Sequence, residues 1–203
     1  VIGTAKRSML IARLAHRLRH LGLSDFGAYT RLLDSPDGEA ERRALVSAIT
    51  TNVTQFFREP HHFDALADMV PALVQRAKAG GRVRLWSAGC STGQEAYSIA
   101  ATIFEKAPDI ERHDLRILAT DIDAEVIASA KAGVYERHLL GENPPAALRR
   151  YLEDGPTAGQ VRMARKLHAL LRFEVLNLLE PWPFQGRFDV IFCRNVVIYF
   201  DAE

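Results

Sequence analysis

Cysteine is scarce in this chain: there are two, Cys90 and Cys193, in 203 residues. Neither lies in a C-x-x-C pair or at metal spacing from a histidine, so disulfide frameworks and common zinc modules are excluded. Both cysteines read as small buried residues of a reduced, cytoplasmic protein. Long apolar runs are also lacking, so no segment reads as a membrane span or a secretory leader, and no insertion into a membrane is expected. Charge of one sign is not in excess: 26 Lys and Arg against 25 Asp and Glu leave a net +1, which gives no general case for nucleic acid. Internal repeats and low-complexity tracts are absent. The one histidine pair, His61-His62, is adjacent in sequence. Two such side chains leave a helix about 100° apart and are not expected to share a metal, so no metal site is expected.

What is present falls into two styles. Residues 8–50 read as helices: Ile11, Leu14, Leu18 and Leu21 share one helical stripe. Ser24 is placed to cap a second helix through Leu33. "DSPDG" breaks that helix, and Glu39 to Ile49 makes a third. Lys6, Arg7, Arg13, Arg17, Arg19 and Arg31 face Asp25 alone within residues 1–31. They read either as a solvated helix face or as a patch for an acidic partner. "TTNVTQFFREP", over 50–60, is polar and aromatic with no clear period, and reads as a loop. Pro60 then opens a helix over about 61–78, and Gly80-Gly81 marks a seam. The expected division is a helical N-terminal domain over 1–50, a connector and helix over 51–82, and a larger domain over 83–203.

From residue 82 the pattern alternates between strand and helix. Strands are expected at Val83–Ala88, Leu115–Thr120, Leu171–Leu179 and Phe188–Cys193, with helices over 92–107 and over "DIDAEVIASAKAGVYE". Such alternation implies right-handed βαβ units and a parallel sheet, an α/β fold. A long connection over about 140–170 holds Pro144-Pro145, a short helix near 146–152, an "EDGPTAG" turn and the alternating "QVRMARKL", and is read as an inserted small β-subdomain. The chain stops just after the fourth strand, so the sheet is expected to lack its C-terminal strands and to present an open edge.

Ligands of open α/β sheets sit outside the carboxyl ends of the strands. There the sequence places the Gly89–Gly93 loop and Glu95, then Asp121 and Asp123, then Asn177, then Arg194-Asn195. A loop poor in side chains lets a ligand lie against backbone, and an acid at the end of the second strand suits two ribose hydroxyls. A dinucleotide site would have a middle glycine and an acid about 20 residues on. Here the middle glycine is missing and Asp121 follows Gly89 by 32 residues. The pattern wants an adenosine without a pyrophosphate. S-adenosylmethionine answers to that, with Glu95 available to its amino group.

Five blocks, "TTNVTQFFRE", "WSAGCSTGQEAYSIA", "ATDID", "LNLL" and "FDVIFCRNVVIYFD", occur in an order that resembles the CheR family, the chemoreceptor glutamate methyltransferases. The resemblance covers nearly the whole chain. It implies a Rossmann-like methyltransferase fold and an S-adenosylmethionine site built from Asn52, Thr54, Arg58, Gly89, Glu95, Asp121, Asn177, Leu178, Asn195 and Val196, with S-adenosylhomocysteine as product. It assigns Asp121 to the ribose hydroxyls, Asn177-Leu178 to the adenine, and Asn52, Thr54 and Arg58 to the methionine half and the incoming carboxylate. Two residues are candidates for direct work on the substrate. Arg58 would position the glutamate, and Tyr199 either orients it or is a core aromatic. The implied partners are the cytoplasmic helices of chemoreceptors, met by the basic N-terminal helices, with the enzyme a monomer.

Two other readings compete with this one. "NPPA" at 143–146 is similar to a nucleic-acid amino-methyltransferase motif but lacks its aromatic and its place after the fourth strand, and no base-stacking cluster accompanies it. The second is a non-catalytic module that binds S-adenosylmethionine or a nucleotide in signalling.

Overall fold

The computed structural model describes residues 4–141 and 144–196. The chain forms two units, one of residues 1–51 with 123–125, the other of residues 52–122 and 126–203.

The first unit is helical: α1 (Thr4–Leu21), α2 (Phe26–Asp34) and α3 (Glu39–Ile49). The N-cap of α2 is Asp25 and not Ser24: its Oδ1 accepts the N–H of Ala28 at 2.8 Å, and Ser24 instead donates to Asp25. A carboxylate at a helix start adds the favourable dipole interaction that a hydroxyl lacks. Arg13 donates to the carbonyls of Ile49 (2.9 Å) and Thr50 (2.7 Å) at the end of α3. Arg17 pairs with the buried Glu41, which also accepts the Tyr29 hydroxyl at 2.7 Å. Two of the six basic side chains therefore hold this unit together. Arg7, Arg19 and Arg31 are exposed.

The second unit opens with α4 (His61–Lys78), β1 (Val83–Ala88), α5 (Gln94–Lys106) and β2 (Leu115–Asp121). Helix α6 (Ala124–Ala132) follows. A small excursion comes next: β3 (Val134–Glu136), α7 (Ala146–Arg149), β4 (Leu152–Asp154), β5 (Gln160–Met163) and α8 (Arg165–His168). The chain returns to the main sheet with β6 (Leu171–Val175) and β7 (Val190–Phe192). The main sheet is parallel throughout, in the order β6-β2-β1-β7, and the excursion forms an antiparallel sheet β3-β5-β4. The mixed α/β class, the helical N-terminus and the inserted β-sheet agree with the sequence reading. The strand order reverses at β1, the place where such sheets bind ligands.

Alternation along β1 and β2 explains the core. Val83, Leu85, Leu115, Ile117 and Ala119 are buried against α4 (Phe63, Leu66, Val70, Leu73) and α5 (Ile99, Ile103, Phe104). Each fully buried aliphatic side chain contributes roughly 1.5–3 kcal/mol. Trp86 points to the other face, 2% exposed, and rings of Trp182, Phe184 and Phe188 lie 4.8–5.5 Å from it. The connection from β6 to β7 thus covers that face with aromatic side chains.

Three boundaries differ from the sequence reading. The helix over 121–136 ends at Ala132, because Gly133 takes a positive φ (61°) and Val134–Glu136 joins β5. The small sheet therefore begins before residue 140. The third strand stops at Val175: the apolar Leu176, Leu178 and Leu179 that suggested strand form a turn at Asn177, whose Oδ1 accepts the N–H of Leu179 at 3.0 Å. The fourth strand is shorter than 188–193, since Phe188 is drawn into the Trp86 cluster.

Candidate functional site

Gly89 and Gly93 both have positive φ, 79° and 96°. The N–H groups of Gly89 and Cys90 donate to the Thr120 carbonyl, at 2.8 and 2.9 Å, which folds the loop over the end of β2. A Cβ at position 89 would lie 2.2 Å from Cγ2 of Val196, so the segments after β1 and β7 approach each other only through glycine. Ser91 ties the loop to two other elements. Its N–H donates to Oδ2 of Asp121 at 2.8 Å, and its hydroxyl donates to the Asn52 carbonyl at 3.0 Å.

The connector over 52–60 has defined geometry. Phe56 is buried, its ring edge-on to Tyr135 of β3 at 5.1 Å. The Phe57 N–H donates to Ser98 Oγ at 3.0 Å. Arg58 donates to the Val53 carbonyl at 3.0 Å, closing the connector on itself around the half-buried Thr54. Phe57 (52°), Glu59 (55°), Ser91 (49°) and Asn195 (58°) are the non-glycine residues with left-handed φ among those described. Such backbone is sparsely populated and persists where its surroundings over-determine it. All four lie in the segments that frame the strand ends.

Two acids and an arginine dominate the electrostatics. Glu95, in the first turn of α5, is 13% exposed and accepts the Ser87 hydroxyl at 2.6 Å. Burial pushes its carboxyl above the usual carboxylate range, against the hydrogen bond from Ser87 and the charge of Arg194. Arg194, just after β7, is 12% exposed. Its Nη1 lies 3.5 Å from Glu95 Oε2, and its Nη2 lies 3.5 Å from Glu59 Oε2 and donates to the Arg58 carbonyl at 2.6 Å. The guanidinium also sits 5.6 Å from the Phe63 ring centroid.

On the far side, Asp121 closes β2, and its carbonyl accepts the Leu176 N–H at 2.8 Å. Beside it Ile122 and Val175 are exposed apolar residues. The Asn177 side chain is used in its own turn, accepting from Leu179 and donating to Glu180 at 3.0 Å. What this turn offers outward is backbone and the half-buried Leu178.

Asn52, Thr54 and Arg58 lie on the connector, Gly89, Asn177, Leu178, Asn195 and Val196 on the strand-end loops, Asp121 at the end of β2 and Glu95 in the first turn of α5. Tyr199 lies outside the described residues. The connector had no account in the residues' own pattern, because its order comes from long-range partners. Ser87, Glu59 and Tyr135 were missed for the same reason, and Arg194 drew notice only as a strand-end residue. The histidine pair differs from expectation: the rings lie with centroids 4.1 Å apart and planes tilted by 48°, and with Glu59 their ligand atoms lie within 4.8 Å of one another. Rotation about the side-chain bonds brings the ring tips together despite their angular separation at the helix. The Arg194 guanidinium already balances Glu59, and the three carry no metal assignment. Cys90 is buried, whereas Cys193 is only half-buried.

The CheR methyltransferase S-adenosylmethionine-binding domain matches residues 52–203, and the CheR methyltransferase all-alpha domain matches residues 1–50. The chain belongs to the CheR methyltransferase family. A probable chemotaxis protein methyltransferase of Rhizobium etli is 47% identical over 98% of this chain and 76% of the relative. The chemotaxis protein methyltransferase of Escherichia coli is 43% identical over 99% and 69%. Chemotaxis protein methyltransferase 2 of Pseudomonas aeruginosa is 41% identical over 98% and 70%.

The cofactor of this CheR methyltransferase is S-adenosylmethionine, and its residues fit that molecule. A buried carboxylate suits an ammonium, buried guanidinium donors suit a carboxylate, and Asp121 at the end of β2 suits ribose hydroxyls. The glycine loop offers close backbone without the three-glycine cradle of a pyrophosphate. No helix among the described residues is long and apolar enough to cross a membrane.

Proposed function

We propose that this methyltransferase esterifies glutamate side chains on the cytoplasmic helices of chemoreceptors, working in the cytoplasm as a monomer in chemosensory adaptation. The observation that carries the reading is the convergence of the Glu95 carboxylate, the Asp121 carboxylate and the Arg58-bearing connector at the carboxyl end of a parallel sheet. The names of the relatives supply the chemotactic setting.

S-adenosylmethionine supplies a methyl group on a sulfonium, and S-adenosylhomocysteine is what remains after transfer to a carboxylate oxygen. A glutamate has a reference pKa of about 4.3 and arrives ionised at neutral pH, so no residue here need act as a general base. The work of the chain is positional. Glu95 meets the amino group, Asp121 the ribose hydroxyls, and the Asn177-Leu178 turn the adenine. The connector, with Asn52, Thr54 and Arg58, lies over the methionine half. Arg58 aligns the incoming carboxylate by a charge-assisted bond, which orients the oxygen and also damps its nucleophilicity. Its role is therefore alignment, and alignment of this kind is worth roughly 7–11 kcal/mol in well-oriented reactions.

No observation favours a binding-only module. The test is transfer of tritiated methyl groups to receptor-enriched membranes, followed by base treatment. The expected product releases tritiated methanol in base. Label that resists base, or no transfer at all, overturns the assignment.

A further inference from the structure

The Arg194 guanidinium touches both the connector and Glu95. Its Nε and Nη1 are buried and donate to no hydrogen-bond acceptor among the described residues. Only Nη2 is hydrogen-bonded, to the Arg58 carbonyl at 2.6 Å, while both carboxylates sit at 3.5 Å. Buried donors without acceptors are costly, and a site tolerates them where a role requires the charge. The connector residue it grips lies between Phe57 and Glu59, both held in left-handed backbone.

We propose that Arg194 is a positioning residue of the methyl-transfer site: it locks the backbone of Arg58 in place, and it holds Glu95 as a carboxylate ready for an ammonium group. This inference rests on the methyltransferase reading above. Glu95 is faced by Arg194 after β7, by Arg58 and Glu59 from the connector, and by the neutral Ser87 of β1. The Cys90 thiol of the glycine loop and the Cys193 thiol after β7 also feel its charge. Of these, Arg194 and Arg58 favour the ionised acid, and Glu59 opposes it. A protonated Glu95 cannot balance an ammonium, so binding weakens as pH falls through the Glu95 pKa. Removing Arg194 raises that pKa and moves the acid limb of binding to higher pH.

The experiment is calorimetric affinity for S-adenosylhomocysteine between about pH 5.5 and pH 9, with transfer rates alongside, on wild type, Arg194→Gln, Arg194→Lys and Glu95→Gln. In Arg194→Gln, the acid limb of binding should move to higher pH, with affinity several-fold below wild type at the acid end of the range and within about threefold of it near pH 9. Glu95→Gln should lose the acid limb altogether. Arg194→Lys keeps the charge but not the planar fork. It should retain the wild-type binding profile while kcat drops about tenfold or more, because the Arg58 backbone is released. A pH-independent loss in Arg194→Gln, or an intact kcat in Arg194→Lys, overturns the proposal. Absence of binding by the wild type at every pH would instead overturn the methyltransferase reading.

Discussion

The roles proposed for Asp121 and Arg58 differ, and the two residues should fail differently. Asp121 accepts the Ser91 N–H, so it anchors the glycine loop in addition to the ribose role proposed for it. Asp121→Ala should weaken S-adenosylhomocysteine binding at least tenfold, about 1.4 kcal/mol or more, by calorimetry. An unchanged affinity would refute the ribose assignment. Arg58 bonds to Val53 within its own connector, and the role proposed for it is alignment of the substrate. Arg58→Ala should lower transfer by about a hundredfold or more while cofactor affinity shifts less than about threefold, the signature of an interaction made in the transition state. Equal losses in rate and affinity would remove its positioning role. Position 89 shows how narrow the tolerance is. Its glycine is required twice over, by a φ of 79° and by the Val196 methyl that a Cβ would strike.

Among the elements, the small sheet is more than an ornament on the insertion. Tyr135 of β3 donates to the Thr92 carbonyl at 2.6 Å and packs edge-on against Phe56, so one residue steadies both the glycine loop and the connector. In the helical unit the equivalent fastening is the Arg17–Glu41–Tyr29 cluster across α1, α2 and α3. The bond from Arg17, then that from Tyr29, holds the Glu41 carboxyl below its ordinary range although burial works the other way. A depressed carboxylate pKa contributes stability above the unfolded value, and this is lost as pH falls through the folded value. The helical unit should therefore weaken at pH below the usual glutamate range. Glu41→Ala strands a guanidinium and a buried phenol, and should cost about 3 kcal/mol in urea melts at neutral pH. It should also abolish most of that acid sensitivity. A cost below about 1 kcal/mol would show that the cluster is ornamental.

For the whole molecule the relevant quantity is charge distribution, since the net charge of +1 steers nothing. With Arg13 and Arg17 committed to internal bonds, the exposed arginines described within residues 7–31 are Arg7, Arg19 and Arg31. An encounter with glutamate-rich receptor helices through this surface should weaken with salt, because exposed charges are screened within about 10 Å at 0.1 M. Receptor methylation should lose about tenfold in kcat/KM from low to high ionic strength, and Arg19→Glu should reproduce much of that loss at low salt. A rate flat in salt, or an indifferent Arg19→Glu, would mean that the receptor is met elsewhere.

Local chemistry determined much of this protein. Helical periodicity, breaker residues and short apolar runs marked α1 to α5, β1 and β2, since these are properties of short segments. Glu95, Asp121 and the glycine loop were legible because strand ends and turns announce themselves in residue type. The rest was decided by tertiary structure. The connector over 52–60 has no period to read, and its shape comes from Ser91, Ser98, Tyr135 and Arg194, each distant in sequence. The turn at Asn177 overrode an apolar run that looked like strand, and Gly133 ended a helix that looked longer. Only the fold could show that Arg13 and Arg17 are structural while Arg194 faces the site, because an arginine's role depends on which carbonyls and carboxylates the chain brings within reach of it.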